Sequence, residues 1–423
     1  MQLTLPYGLG SLRVELPESV RVLAGPRAPA ISDPVRELKA SLDAPIAAEP
    51  LDALARGRQS ACVVVSDNTR PVPNRLLLPP ILERLRASVR RTCVLVATGL
   101  HAPLGEPEWA ELFEGCALEG CEVRCHDALD SSQLVSLGST ARGIPIELNR
   151  LYVDSELRVL TGLIEPHFMA GYSGGRKSIC PGIAGAETIQ WFHSPLLLES
   201  PHADSCRLEG NPVHEEATSV ARRVGTDLIV NVAIDSERRV TNVVAGDLES
   251  AWHEGVRFVA SQAEVPIEHE ADIVITTNGG HPQDRNFYQA VKGLVAAARA
   301  VRKDGAILLL SECRDGIGSP SFRANLELLR RLGDPQAYIE HISQPEHFTH
   351  DQWEVEKLVH VLRRTKNLFL LSDGLDSSDC ATCFVRPVES VAGGIAKARA
   401  VAGSDAEILV MPEGPYLIPT LPR

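Results

Sequence analysis

Short uninterrupted apolar runs recur along the chain, and each empties into a polar loop rich in Gly, Pro, Asp or His. The runs 61–65 and 93–97 are too short for helices and lack polar alternation, which predicts strands buried on both faces of a parallel sheet, and Leu157 to Leu160 is expected to be a third strand. Strand-like segments at 2–6 and 12–16 surround Gly8 to Gly10, and 17–60 is Pro- and Ala-rich with helical patches. A helix over 76–90, a flanking strand at 122–126, strands at 227–234 and 239–244 and a helix near 249–262 complete a first series. The acidic stretch 264–270 contains Pro266 and reads as a hinge. A second series follows: strands at 272–276, 306–310, 367–371 and 406–411, with helices at 322–332, 352–364 and 388–400. This β-α-β order predicts an α/β fold of two α/β domains with largely parallel sheets and the active site in the cleft between them. The expected division is 1–263 for an N-terminal cofactor-binding domain, 264–270 for the hinge and 271–405 for the C-terminal domain. Residues 406–423 hold a final strand and tail, a candidate to return to the first domain.

In a doubly wound sheet the loops at the carboxyl ends of the strands line one crevice. The loops after 61–65, 93–97 and 157–160 carry Asp67-Asn-Thr69-Arg70, Thr98-Gly-Leu-His101 and the segment from His167 to Lys177, so residues more than a hundred positions apart are expected to converge. Taken alone, Asp67 to Arg70 reads equally well as an Asx-type turn capping the next helix.

Composition narrows the partners. With 423 residues, 44% hydrophobic and 23% charged, the chain can build two full cores. A formal net charge of −13 argues against nucleic acid or an anionic membrane as main partner, so an anionic ligand needs a local basic pocket. The N-terminus lacks a basic region followed by a long apolar core, and no run of 18 or more apolar residues occurs; a cytoplasmic protein is expected. The ten cysteines form no dense framework and read as free thiols. Cys380-x-x-Cys383 lacks a second pair, and Cys116, Cys121, Cys125 and His126 are loosely spaced, so no zinc site is expected.

The densest chemistry lies between Leu160 and Ser194. Gly171, Gly174 and Gly175 permit close backbone approach to a ligand, and Arg176 and Lys177 add two cations, a pattern suited to an anion such as phosphate. Gly171, Lys177 and Ser178 fall at Walker A spacing, but Arg176 stands where that motif has its second Gly, so the loop is a near miss. His167 and His193 bracket it. This stretch closely resembles the nickel-dependent lactate racemase family, whose members carry a nickel-pincer nucleotide tethered to a lysine. The resemblance implies that Lys177 holds the cofactor covalently, that His193 ligates nickel, and that Asp67, Thr69, Gly174, Gly175 and Arg176 lie along the cofactor. The family's Asp-x-Thr-Arg-Pro and Thr-Gly-x-His are present, which makes His101 and His167 the implied acid/base pair; Ala102 stands where the lactate enzymes often place Arg.

Beyond the hinge, Asn278-Gly-Gly opens into a helix bearing Tyr288, Gln289 and Lys292. Gln289 and Lys292 share a helix face, usually a solvated one. The family has the same Tyr-Gln-x-x-Lys arrangement, which implies that Gln289 and Lys292 bind substrate, with Lys292 and Arg70 gripping its carboxylate. Trp353, at a helix start, and Tyr288 are further substrate-side candidates. The implied reaction is racemisation of a small 2-hydroxy acid: a histidine takes the hydroxyl proton while hydride leaves to the cofactor, and the ketoacid turns before hydride returns. The cofactor implies maturation proteins as partners. Arg285 decides substrate size: aimed inward it pairs with a second carboxylate and selects malate, aimed outward it is solvated and leaves a lactate-like substrate, the favoured reading. A phosphate- or nucleotide-dependent transferase using the basic Gly loop stays open as the rival.

Overall fold

The computed structural model describes residues 1–101 and 103–422. Ala102, the departure from the family pattern, lies outside the described residues. The chain divides into two compact units: Arg27–Phe192 with Ser200–Ser261, and Met1–Pro26 with His193–Glu199 and everything from Gln262 on.

The first unit is built on a six-stranded sheet with spatial order Val240–Gly246, Leu228–Ile234, Leu157–Leu163, Ser60–Ser66, Arg91–Ala97, Cys121–Cys125. All neighbours are parallel except the first pair, which a five-residue connection joins antiparallel. The apolar runs behave as continuous runs should, with Val63, Val65, Val94, Val96, Val159 and Val230 buried in one core. The hairpin Leu134–Ser139 with Pro145–Asn149 was not expected, because Ser136, Gly138 and Ser139 interrupt its apolar pattern.

The second unit carries a six-stranded, wholly parallel sheet in the order Arg386–Pro387, Asn367–Leu371, Val301–Leu310, Ala271–Thr277, Ile408–Met411, Arg21–Val22. Four boundaries differ from the sequence reading, one being that His193–Glu199, expected within the first domain, packs with the second unit. The N-terminal 26 residues belong here, because the hairpin Gln2–Tyr7/Gly10–Glu15 buries Leu5, Tyr7 and Val14 in a core with Ile273, Ile275 and Leu308, and Arg21–Val22 extends the sheet. The last strand does not return to the first unit; it pairs with Ala271–Thr277 in the second. The expected hinge begins as a strand, Glu264–Pro266, paired in parallel with Ile418–Thr420, a two-stranded edge where Pro266 is tolerated. Among the described residues no helix is long and apolar enough to cross a membrane.

Candidate active site

Three adjacent parallel strands of the first unit deliver their loops side by side. Ser60–Ser66 leads to Asp67, Thr69 and Arg70; Arg91–Ala97 leads to His101; and Leu157–Leu163 leads to Glu165, His167 and the turn Gly175–Ser178 that carries Lys177. The last two are stitched together: Gly99 N–H donates to the Gly182 carbonyl at 3.0 Å, and Gly182 N–H to the Lys177 carbonyl at 3.1 Å.

His101 Nδ1 lies 2.6 Å from a carboxylate oxygen of Asp67, whose other oxygen accepts the Thr69 hydroxyl at 2.7 Å. Burial opposes ionisation of Asp67, but the hydrogen bonds from His101 and Thr69 and the Arg70 charge hold its carboxyl below the ordinary value. An ionised Asp67 fixes the Nδ1–H tautomer and leaves a lone pair on His101 Nε2, the arrangement of a general base. Asp67 and Thr69, expected along a cofactor, thus have the nearer role of orienting His101.

His167 is set differently. Its Nδ1 accepts the backbone N–H of Met169 and of Ala170, both at 3.2 Å, so the neutral ring carries its proton on Nε2 and presents a donor. Acting as a base through Nε2 would require Nδ1 to abandon both amides. Arg70 Nη1 donates to Glu165 at 2.8 Å, and Glu165 is a residue the sequence reading passed over although it directly precedes Pro166-His167.

Lys177 is partly buried, and burial, followed by the cations Arg70 and Arg176, pushes its amine down to about 7. The expected anion cradle is occupied by the protein itself. Gly175 N–H donates to Asn231 Oδ1 at 2.9 Å, and a Cβ on Gly175 would meet the Trp252 ring at 2.8 Å. Gly174 has φ +75°, and a Cβ there would meet Asn231 Oδ1 at 2.9 Å. Arg176 is buried with its guanidinium 3.8 Å from the centre of the Trp252 ring and donates to the Ala170 carbonyl at 2.9 Å. Gly174, Gly175 and Arg176 therefore shape the turn from behind, with the Gly175 amide and the Arg176 guanidinium engaged inside the protein. Asn231 and Trp252 escaped sequence reasoning because each sits in an otherwise ordinary strand or helix, outside any Gly-rich loop.

In the second unit, Asn286 caps the helix Phe287–Ala298, and Phe287, Ala290, Val291 and Leu294 bury one stripe. The opposite positions carry Gln289 and Lys292, with Lys292 Nζ 2.5 Å from Gln289 Oε1. Asn278 holds the helix start by donating to the Gln289 carbonyl at 3.0 Å. Trp353 Nε1 donates to the Tyr288 hydroxyl at 3.1 Å, and the His193 ring centre stands 4.5 Å from that of Trp353, so these three candidates form one group. Glu354, beside them in sequence and not anticipated, is raised to about 8 by burial, with Lys292 opposing. The Arg285 side chain is 53% exposed and pairs with Asp315 at 2.7 Å. The cysteines are all free thiols, and the loosely spaced His126 is buried between the Ala184 carbonyl, 2.8 Å from Nε2, and the Asn149 amide, 3.0 Å from Nδ1.

Comparison with known proteins identifies the family. Residues 7–205 match the lactate racemase N-terminal domain and residues 267–418 the lactate racemase C-terminal domain. The chain is 34% identical over 422 residues to a lactate racemase of Thermoanaerobacterium thermosaccharolyticum, covering 98% of each. It is 35% identical over 378 residues to one of Lactiplantibacillus plantarum, covering 88% of each. The solved structure of the Thermoanaerobacterium lactate racemase apoprotein superposes with a TM-score of 0.93 at 34% identity, over 99% of this chain and 100% of that one. A Thermotoga maritima protein at 16% identity shares the fold with a TM-score of 0.64, over 92% of this chain and 99% of that one. The chain belongs to the lactate racemase family.

Proposed function

We propose that the protein is an isomerase that racemises lactate or a closely related small aliphatic 2-hydroxy acid. The observation that carries this reading is the grouping of the Asp67–His101 pair, the Arg70–Glu165 pair and a depressed lysine amine, Lys177, on loops of adjacent parallel strands. The relatives' activity as lactate racemases supports it.

The residues present fit a nickel-pincer nucleotide. Lys177, with a large neutral fraction near pH 7, suits a covalent link through its amine. His193 offers one imidazole donor for a nickel whose other donors would come from the nucleotide. The chemistry such a group supplies when bound is reversible acceptance of hydride from C2. Loading it calls for cofactor-maturation proteins as partners.

The chain's own residues do the rest. His101 Nε2 takes the hydroxyl proton, and the charge that develops on the ring is held by Asp67. His167 presents an N–H to the hydroxyl oxygen, so the two histidines enter with unlike hydrogen-bonding roles. In the first unit Arg70 offers a cation for a carboxylate once Glu165 releases it; in the second, Lys292 with Gln289 offers another. The exposed Arg285–Asp315 pair supplies nothing for a second carboxylate, which favours lactate over malate.

The test is a panel of D- and L-2-hydroxy acids incubated with cofactor-loaded protein and followed by chiral chromatography. Interconversion of lactate enantiomers is expected, with the cofactor-free protein inactive. Fully loaded protein that leaves every member of the panel unchanged would end this reading.

A further inference from the structure

The helix Gln352–Arg364 is buried on nearly all sides, yet it carries charge that its packing does not require. Glu356 is fully buried, and neither of its carboxylate oxygens has a hydrogen-bond partner. A buried carboxylate left in this way is costly, and such groups are otherwise paired, hydrogen-bonded or bound to metal. The neighbouring buried Lys357 offsets part of the charge but does not bond to it.

Four residues on, and hence on the same helix face, stands His360. Its Nε2 is 2.5 Å from one carboxylate oxygen of Glu199, the last residue of the segment His193–Glu199. The other Glu199 oxygen accepts from Arg363 Nη1 at 2.8 Å. One donor atom from each of Glu199, Glu356 and His360 lies within 4.8 Å of the others.

We propose that Glu199, Glu356 and His360 bind a first-row divalent cation of the zinc type. Two carboxylates and one imidazole form a ligand set such ions accept, and three protein donors leave a fourth position to water. The cation replaces the proton between His360 and Glu199 and gives the unpartnered Glu356 oxygens a counter-charge. Arg363 keeps the second Glu199 oxygen, so Glu199 ligates through one oxygen only. The segment that ends in Glu199 begins at His193, which packs on Trp353 at the start of the same helix. A cation here fastens the far end of that segment, a structural role separate from ligation by His193. This inference does not depend on the racemase reading.

The test uses purified, chelator-treated protein without the nucleotide, titrated calorimetrically with zinc and, for its visible absorption, with cobalt(II). Wild type and His193→Ala are expected to bind one equivalent, while Glu356→Gln and His360→Gln lose at least tenfold in affinity with unchanged circular dichroism. Glu199→Gln, at a partly exposed position, gives a third reading if either of the other variants does not fold. Absence of stoichiometric binding by wild type, unchanged affinity in the folded variants, or loss of binding in His193→Ala overturns the proposal.

Discussion

Lys177 bears the cofactor assignment, and the state of its amine is measurable before any cofactor is present. An ordinary lysine titrates at 10.5, whereas burial and the cations Arg70 and Arg176 bring Lys177 to about 7. At pH 7 about half of this amine is then neutral, against roughly one in 3000 for an unperturbed lysine. The displacement corresponds to roughly 5 kcal/mol favouring the neutral form, a ceiling because a partly buried side chain keeps some hydration. The sign for stability follows: the folded value lies below the unfolded one, so between pH 7 and pH 10.5 the unfolded chain binds the extra proton and stability rises with pH. Below about pH 7 the whole penalty is present. Lys177→Met should therefore stabilise the cofactor-free protein at pH 6, by up to about 5 kcal/mol, with the gain fading as pH approaches 10.5. The direct assay is pulse acetylation across about pH 5 to pH 11, read by peptide mass spectrometry with the exposed Lys39 and Lys366 as internal references. Normalised to its own plateau, Lys177 should reach half reactivity near pH 7; a profile that coincides with the references refutes the reasoning.

Three further outcomes are expected. Asp67→Asn removes a charge-assisted hydrogen bond worth about 1.5–3 kcal/mol, and His101 is half-exposed, so turnover in both directions should fall at least about tenfold with the cofactor adduct mass unchanged. Wild-type turnover in that variant would remove Asp67 from the account. His167→Gln, which can keep an N–H donor, should retain more activity than His101→Gln, which cannot act as a base; steady-state rates with each lactate enantiomer decide, and the reverse order contradicts the assigned roles. Arg285→Gln should leave lactate turnover within about twofold, since it breaks only an exposed ion pair; a selective loss of malate turnover would show the arginine at work on substrate.

Much of this architecture is legible in the chain because buried parallel strands are written as apolar runs, unbroken at 61–65 and 93–97, and the loops after these and after 157–160 do come together. What escaped was set by tertiary pairing. Nothing local in Arg21–Val22 announces a strand, since its partner Ile408–Met411 lies almost four hundred residues away. The glycines of the Lys177 turn are readable as points of close backbone approach, but whether their amides face a ligand or Asn231 depends on a strand elsewhere in the sheet. Likewise, Asp67 was legible as a functional residue and His101 as another, while the 2.6 Å contact that makes one orient the other was not.

The most direct test of the central claim follows the hydrogen at C2. L-lactate deuterated at C2 is incubated with cofactor-loaded protein in ordinary water, and the D-lactate formed is separated and weighed by mass spectrometry. The account predicts D-lactate that retains its deuterium, because hydrogen leaves and returns without passing through solvent. D-lactate formed with rapid loss of the label, or no D-lactate from protein whose loading on Lys177 is verified, would contradict it.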